Sequence, residues 1–357
     1  MVAKTISCAF DREAVWRKVR DRKAVVLDMN CWINMAEDKF PLATQVRDNL
    51  RRLVSEGLIF CPLSFGLICE LYKQADDSRL RVGTLMDELS LSTSYARREE
   101  IFDWEVRRVI RRLADAGPID LSTYELYVPV LAYLTSQFQL DFPEGFPAEH
   151  IEDFTRKVKQ RMEGLTFMEL LKMRGGAKGE RMRDFLKKIP APNYSHTAKR
   201  TWEAVKGDKQ KIQRIEAETV FKQHIRPAIR RLPLAVRAKF LDYLSASPRD
   251  KYRGCLGELI NRMPAIRNHV ELMAAIAGNP TRQYKINDFF DFEVMPVPLA
   301  YASVFVAQDK GIRDILRNRT AILRSNACRY CFDLHEFGRW LKEEGLARTA
   351  KVFPADR

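Results

Sequence analysis

Four acidic residues far apart in the chain, Asp28, Glu70, Asp291 and Asp309, occupy positions from which carboxylates can converge. Asp28 closes the apolar run Ala24-Val25-Val26-Leu27, and Asp309 closes a second run, Val304-Phe305-Val306-Ala307-Gln308. A carboxylate at the C-terminal end of a buried strand points into the crevice where open α/β sheets bind ligands. Carboxylates gathered there repel one another unless a divalent cation neutralises them. Each residue also has a local alternative. Asp28, Asp291 and Asp309 each precede a helix-like segment and suit an N-cap, and Glu70 suits the exposed face of a helix.

The elements that must position these residues follow from periodicity. Residues 24–28 form a short, β-branched, unbroken apolar run, as in a parallel strand buried on both faces. Leu42 to Glu56 carries Val46, Leu50, Leu53 and Val54 at the spacing of one helical face, with Gly57 as its C-terminal cap. Leu58-Ile59-Phe60 is a second strand, and Pro62 and Ser64 open a helix that runs through Glu70. After Pro280 the alternation returns. Asp291 to Tyr301 is expected as a helix made irregular by Pro296 and Pro298, Ser303 to Ala307 as a strand and Lys310 to Asn318 as a helix. Ala321-Ile322-Leu323 and Tyr330-Cys331-Phe332 are candidate edge strands, and His335 to Gly345 a closing helix.

Between these pieces helical periodicity dominates, in Arg97 to Ala116, Phe154 to Met173, Ala198 to Gln223 and Leu234 to Leu244. The expected architecture is one α/β domain, residues 21–76 plus 281–346, interrupted by an all-α insertion over residues 77–280.

Charge is concentrated in that insertion. The chain of 357 residues carries a formal +14, and Phe154 to Arg231 alone holds 21 Lys and Arg against 8 Asp and Glu, a net of +13. So local an excess is expected to attract a polyanion, nucleic acid first. Tyr194, Trp202 and Phe221 lie within it as candidates for base stacking. No apolar run approaches the ~18 residues of a membrane span. Met1 to Arg20 lacks the apolar centre of a signal peptide, so a cytoplasmic protein is expected. The seven cysteines are scattered and odd in number, unlike a secreted disulfide framework. Cys328-Arg329-Tyr330-Cys331 has C-x-x-C spacing, but no second cysteine pair completes a zinc site nearby.

The outer pieces resemble the PIN domain, a family of metal-dependent nucleases. The lead-in strand–Asp–x–Asn is Val25-Val26-Leu27-Asp28-Met29-Asn30, followed by the apolar Cys31-Trp32-Ile33. Glu70 falls 42 residues later, in a helix after the second strand, and Asp291 and Asp309 are 18 residues apart. Asn287-Asp288-Phe289-Phe290-Asp291 and Asp309-Lys310-Gly311-Ile312 are similar to segments of some relatives. The sequence departs from the family at Ala307, where many members carry Thr or Ser, and at Pro296 and Pro298.

The resemblance implies a three-layer α/β/α domain with a central parallel sheet that hydrolyses phosphodiester bonds, in RNA by preference, with Mg²⁺ or Mn²⁺. It makes Asp28 and Asp309 the leading metal ligands, with Glu70 and Asp291 completing the acidic pocket. Asn30 would orient a water or a phosphate oxygen, with Asp288 and Asp314 in reserve. A protein partner such as an antitoxin is compatible with the family. The competing reading is a catalytically degenerate PIN-like module that binds nucleic acid or protein.

Overall fold

The computed structural model describes residues 2–114, 123–133, 137–144, 147–173, 194–245, 256–279, 292, 294–318 and 326–352. Its fold is mixed α/β and mostly helical. In chain order the elements are β1 (Val2–Ala9), α1 (Arg12–Val19), β2 (Lys23–Leu27), α2 (Met29–Ala36), α3 (Pro41–Ser55), β3 (Ile59–Phe60), α4 (Phe65–Leu71) and α5 (Asp76–Ser90). Next come β4 (Thr93–Tyr95), α6 (Arg98–Leu113), β5 (Tyr127–Pro129), β6 (Gln137–Pro143), α7 (Ala148–Glu163), α8 (Phe167–Met173), α9 (Tyr194–Val205), α10 (Lys209–Val220), α11 (Arg226–Arg230) and α12 (Leu234–Ser245). The last are α13 (Pro264–Ala277), α14 (Pro296–Tyr301), β7 (Val304–Val306), α15 (Lys310–Asn318), β8 (Arg329–Cys331) and α16 (Leu334–Val352). Among the described residues no helix is long and apolar enough to cross a membrane.

The chain divides into two compact units: Met1–Ala96, Thr123–Lys187 and Leu334–Arg357 make the first, and Arg97–Ser122 with Lys188–Asp333 the second. In the first unit β2 and β3 are parallel, with Lys23 opposite Ile59 and Ala24 opposite Phe60. Val25, Val26, Leu27, Ile59 and Phe60 are fully buried, which is why this run contains no polar alternation. Helix α3 turns Ala43, Val46, Leu50, Leu53 and Val54 inward and ends before Gly57, whose positive φ of 75° reverses the chain into β3. Helix α16 packs against α3, and Lys23 Nζ reaches Glu344 Oε2 at 2.6 Å.

Residues 77–280 are not all-helical, contrary to expectation, and they are distributed over both units. β4 pairs antiparallel with β5, and Tyr127 on β5 stacks near Tyr95 and meets Phe60 edge-on, both at 5.3 Å. β6 pairs antiparallel with β1, from Lys4 opposite Phe142 to Ala9 opposite Gln137. The segment Gln137-Phe138-Gln139-Leu140-Asp141-Phe142 alternates polar and apolar residues at the strand period of two. That short signal governs the local structure.

The second unit is built around α13, which packs against α6, α9, α10 and α14. Here β7 and β8 are parallel, Phe305 opposite Tyr330, with α15 between them in sequence. Two expectations change. The helix expected from Ala198 to Gln223 is two helices, parted where Lys206 and Gly207 both take positive φ and Asp208 caps α10. Pro296 opens α14 rather than distorting it, because the first helical position needs no amide proton. The candidate strand at residues 321–323 lies outside the described residues.

Candidate functional site

The first unit holds Asp28, Asn30 and Glu70. β2 ends at Leu27, and Asp28 follows with extended backbone (φ −70°, ψ 165°). Its Oδ1 accepts the Cys31 amide at 2.8 Å, so the carboxylate caps α2 and is fixed at the exit of a buried strand. α2 buries Met29, Cys31, Trp32 and Met35, leaving Asp28 partly buried and Asn30 exposed. Ser64 opens α4 by accepting the Leu67 amide at 3.4 Å. α4 buries Leu67, Ile68, Cys69 and Leu71, and Glu70 is its partly exposed member. Because α2 packs against α4, these three expected residues sit on neighbouring helices of one unit.

The second unit holds Asp309 and Asp314. Val304, Phe305, Val306 and Ala307 are buried. Asp309 comes three residues after the last β7 residue, and its Oδ1 accepts the Ile312 amide at 2.8 Å to cap α15. The device at Asp28 is thus repeated: buried parallel strand, then an aspartate, then a helix that the aspartate caps. Asp314 lies exposed on α15. Asp288 and Asp291 lie outside the described residues. Among the described residues, no three His, Cys, Asp or Glu side chains are grouped to hold a metal ion.

Sequence reasoning missed the most buried carboxylate among the described residues. Glu105, on α6, is 1% exposed. Its Oε1 accepts the Ala265 amide at 2.8 Å and the Tyr301 hydroxyl, and its Oε2 accepts the Ile266 amide at 3.0 Å. Glu105 therefore caps the first turn of α13 from a different helix, where the helix dipole favours an anion. Burial outweighs these donors and raises its pKa to about 7. The available signal was periodicity, since Glu105 falls on the α6 face of Ile101, Phe102 and Val109. Close by, His269 is buried against Phe102 at 5.5 Å, and His224, in a π-helical turn at Phe221–Ile225, meets the same ring at 5.2 Å. Burial lowers the pKa of both histidines, and Arg98 lowers them further.

Much of the basic segment is engaged. Arg156 and Lys157 pair with Asp153, Arg161 with Glu169, Lys211 with Asp208, Arg214 with Glu218 and Arg231 with Asp103. Lys222, Arg226 and Arg230 are exposed at successive four-residue steps. Trp202 is not a free stacking platform, because it packs against the core of Ile212, Ala274 and Ala277. Cys328 and Cys331 are buried thiols beside and within β8.

Compared with models of protein families, with curated proteins and with solved structures, the chain matches none.

Proposed function

We propose that this chain is a divalent-metal-dependent endonuclease acting on RNA. In this reading residues 21–76 and 281–346 supply a three-layer, PIN-like nuclease domain, and the basic residues between them guide the strand. The observation that supports it most is the repeated arrangement at Asp28 and Asp309. Both carboxylates follow buried parallel strands and are pinned by one oxygen to a helix amide. Such pinning orients a carboxylate in advance of ligand binding, which a metal site needs. The assigned donors, Asp28, Glu70, Asp291 and Asp309, offer carboxylate oxygens, the type that Mg²⁺ and Mn²⁺ take. A bound ion of this class supplies an activated water and neutralises phosphoryl charge. Asn30, exposed at the start of α2, orients a water or a phosphate oxygen through its amide.

The test incubates wild type, Asp28→Asn and Asp309→Asn with labelled RNA and DNA, in Mn²⁺ or in EDTA. Wild type is expected to cleave RNA in Mn²⁺ alone, and neither variant to cleave. Equal cleavage by the variants, or cleavage in EDTA, overturns the assignment.

One observation favours a second reading, a PIN-like module that binds without cutting: both aspartates already have a structural task as caps. Melting discriminates the two. A metal that binds only the folded form raises the melting temperature. A Tm unchanged by Mn²⁺, with salt-sensitive RNA binding retained, selects the binding module.

A further inference from the structure

We infer that Arg313 and Arg317, laid on the ring of Phe332, form a binding site for the phosphodiester backbone of single-stranded nucleic acid beside Asp309. The inference deepens the nuclease reading and rests on it for the class of ligand, but not on cleavage.

Helix α15 is sharply divided. Ile312, Ile315 and Leu316 are buried, while Lys310, Arg313 and Arg317 recur at three- and four-residue steps on the other side. The Arg317 guanidinium lies 4.8 Å from the Phe332 ring centre and that of Arg313 lies 5.7 Å from it. Arg313 also donates through Nη2 to the Phe332 carbonyl at 3.1 Å. Phe332 is held in turn by Tyr330, whose ring meets it edge-on at 4.5 Å. Tyr330 packs edge-on against Phe305 at 5.6 Å and donates its hydroxyl to the Ala307 carbonyl at 3.3 Å. The platform is thereby anchored to the strand that leads into Asp309.

Two features separate this pair from ordinary surface arginines. Many exposed arginines elsewhere meet carboxylates, as in Arg51 with Glu88 and Arg262 with Glu258. Among the described residues no carboxylate forms an ion pair with Lys310, Arg313 or Arg317, although Asp314 shares their helix. In addition, both guanidinium groups lie over one aromatic ring, which attracts them. A guanidinium held over a ring and not consumed by an internal acid retains N–H donors for an external anion. It matches phosphate geometry better than a lysine does. Orienting it beforehand removes part of the entropy cost of binding.

The experiment measures fluorescence anisotropy of labelled U20 RNA and dT20 DNA in EDTA, where no cutting interferes. The proteins are wild type, Arg317→Ala, Phe332→Leu and Asp309→Asn, each checked for an unchanged melting transition. Arg317→Ala is expected to weaken binding about tenfold, as for a lost charge-assisted contact. It should also make the salt dependence shallower by about 0.7 for a single strand. Phe332→Leu, which keeps both charges but frees them, should weaken binding less, and Asp309→Asn should bind at least as well as wild type. Equal losses on RNA and DNA assign the contact to the shared backbone, and a loss on RNA alone assigns it to the RNA strand. Wild-type affinity in Arg317→Ala, or wild type failing to bind either strand, overturns the inference. Metal-dependent cleavage lost in Asp309→Asn still stands or falls by itself.

Discussion

Tyr301 donates its hydroxyl to the Glu105 oxygen that also accepts the Ala265 amide, tying α6, α13 and α14 together at one buried carboxyl group. Burial raises the pKa of Glu105 from 4.5 to about 7. A raised folded-state value means that folding favours the protonated form. The resulting stability is complete below about pH 4.5 and is lost as pH rises through about 7. Its size is on the order of 3 kcal/mol. Arg108 and Arg267 face the same group, and their attraction limits the rise. We expect the Tm advantage of wild type over Glu105→Gln to shrink steadily between pH 5 and pH 8. A difference that stays constant across that range rules out the raised pKa.

His269 acts in the opposite direction. Burial, then the nearby Arg98 and His224, hold its pKa well below the usual imidazole value of 6.5, and its Nδ1 is buried without a hydrogen-bond partner. The folded state therefore favours the neutral ring. Its contribution is present above pH 6.5 and is lost as pH falls towards the depressed value. In a proton NMR titration the His269 ring resonance should still hold its neutral position well below pH 6.5. A midpoint for His269 close to 6.5 contradicts this assignment.

These two residues also mark what could be read in the sequence. Where an element buries one clean face, residue spacing suffices. α3, β3, α4 and α15 fall within a residue or two of expectation, and Gly57 ends α3 as its position suggests. Glu105 went unseen because a charged residue is placed outward by default, and only the donors from α13 and α14 make its burial tolerable. The β1–β6 pairing was hidden for a different reason, since its partners Lys4 and Phe142 are remote in the chain and nothing local announces the match. For the candidate site, the strand-to-aspartate step was legible at Asp28 and Asp309. The capping bonds that fix both carboxylates emerged as alternatives to metal binding, and the proposed function requires the two to be compatible.

That compatibility can be tested by separating the two tasks. Asparagine caps a helix about as well as aspartate, whereas alanine costs about 1 kcal/mol. Asp28→Asn and Asp309→Asn should therefore melt close to wild type, and Asp28→Ala and Asp309→Ala should each lose roughly 0.5–2 kcal/mol in chemical denaturation. If metal binding is the second task, the asparagine variants lose Mn²⁺-dependent stabilisation despite intact folding. Asparagine variants that keep the full Mn²⁺ shift would confine these residues to capping.

The break between α9 and α10 gives the sharpest local prediction. Gly207 has φ of +73°, and a Cβ built on it would lie 2.6 Å from Cζ2 of Trp202. That ring is packed against the core of Ile212, Ala274 and Ala277, so it cannot swing aside without opening the core. Gly207→Ala thus combines a disfavoured left-handed backbone, about 1 kcal/mol, with a steric clash of about 1–3 kcal/mol. Changing the neighbouring Lys206, also at positive φ but exposed on this turn, to glycine should be neutral or stabilising, because it relieves strain without removing a packed side chain. In urea denaturation the midpoint of Gly207→Ala should fall, while that of Lys206→Gly should hold or rise. If Gly207→Ala leaves the midpoint unchanged, Trp202 is not held by this core and the turn does not divide the two helices as described.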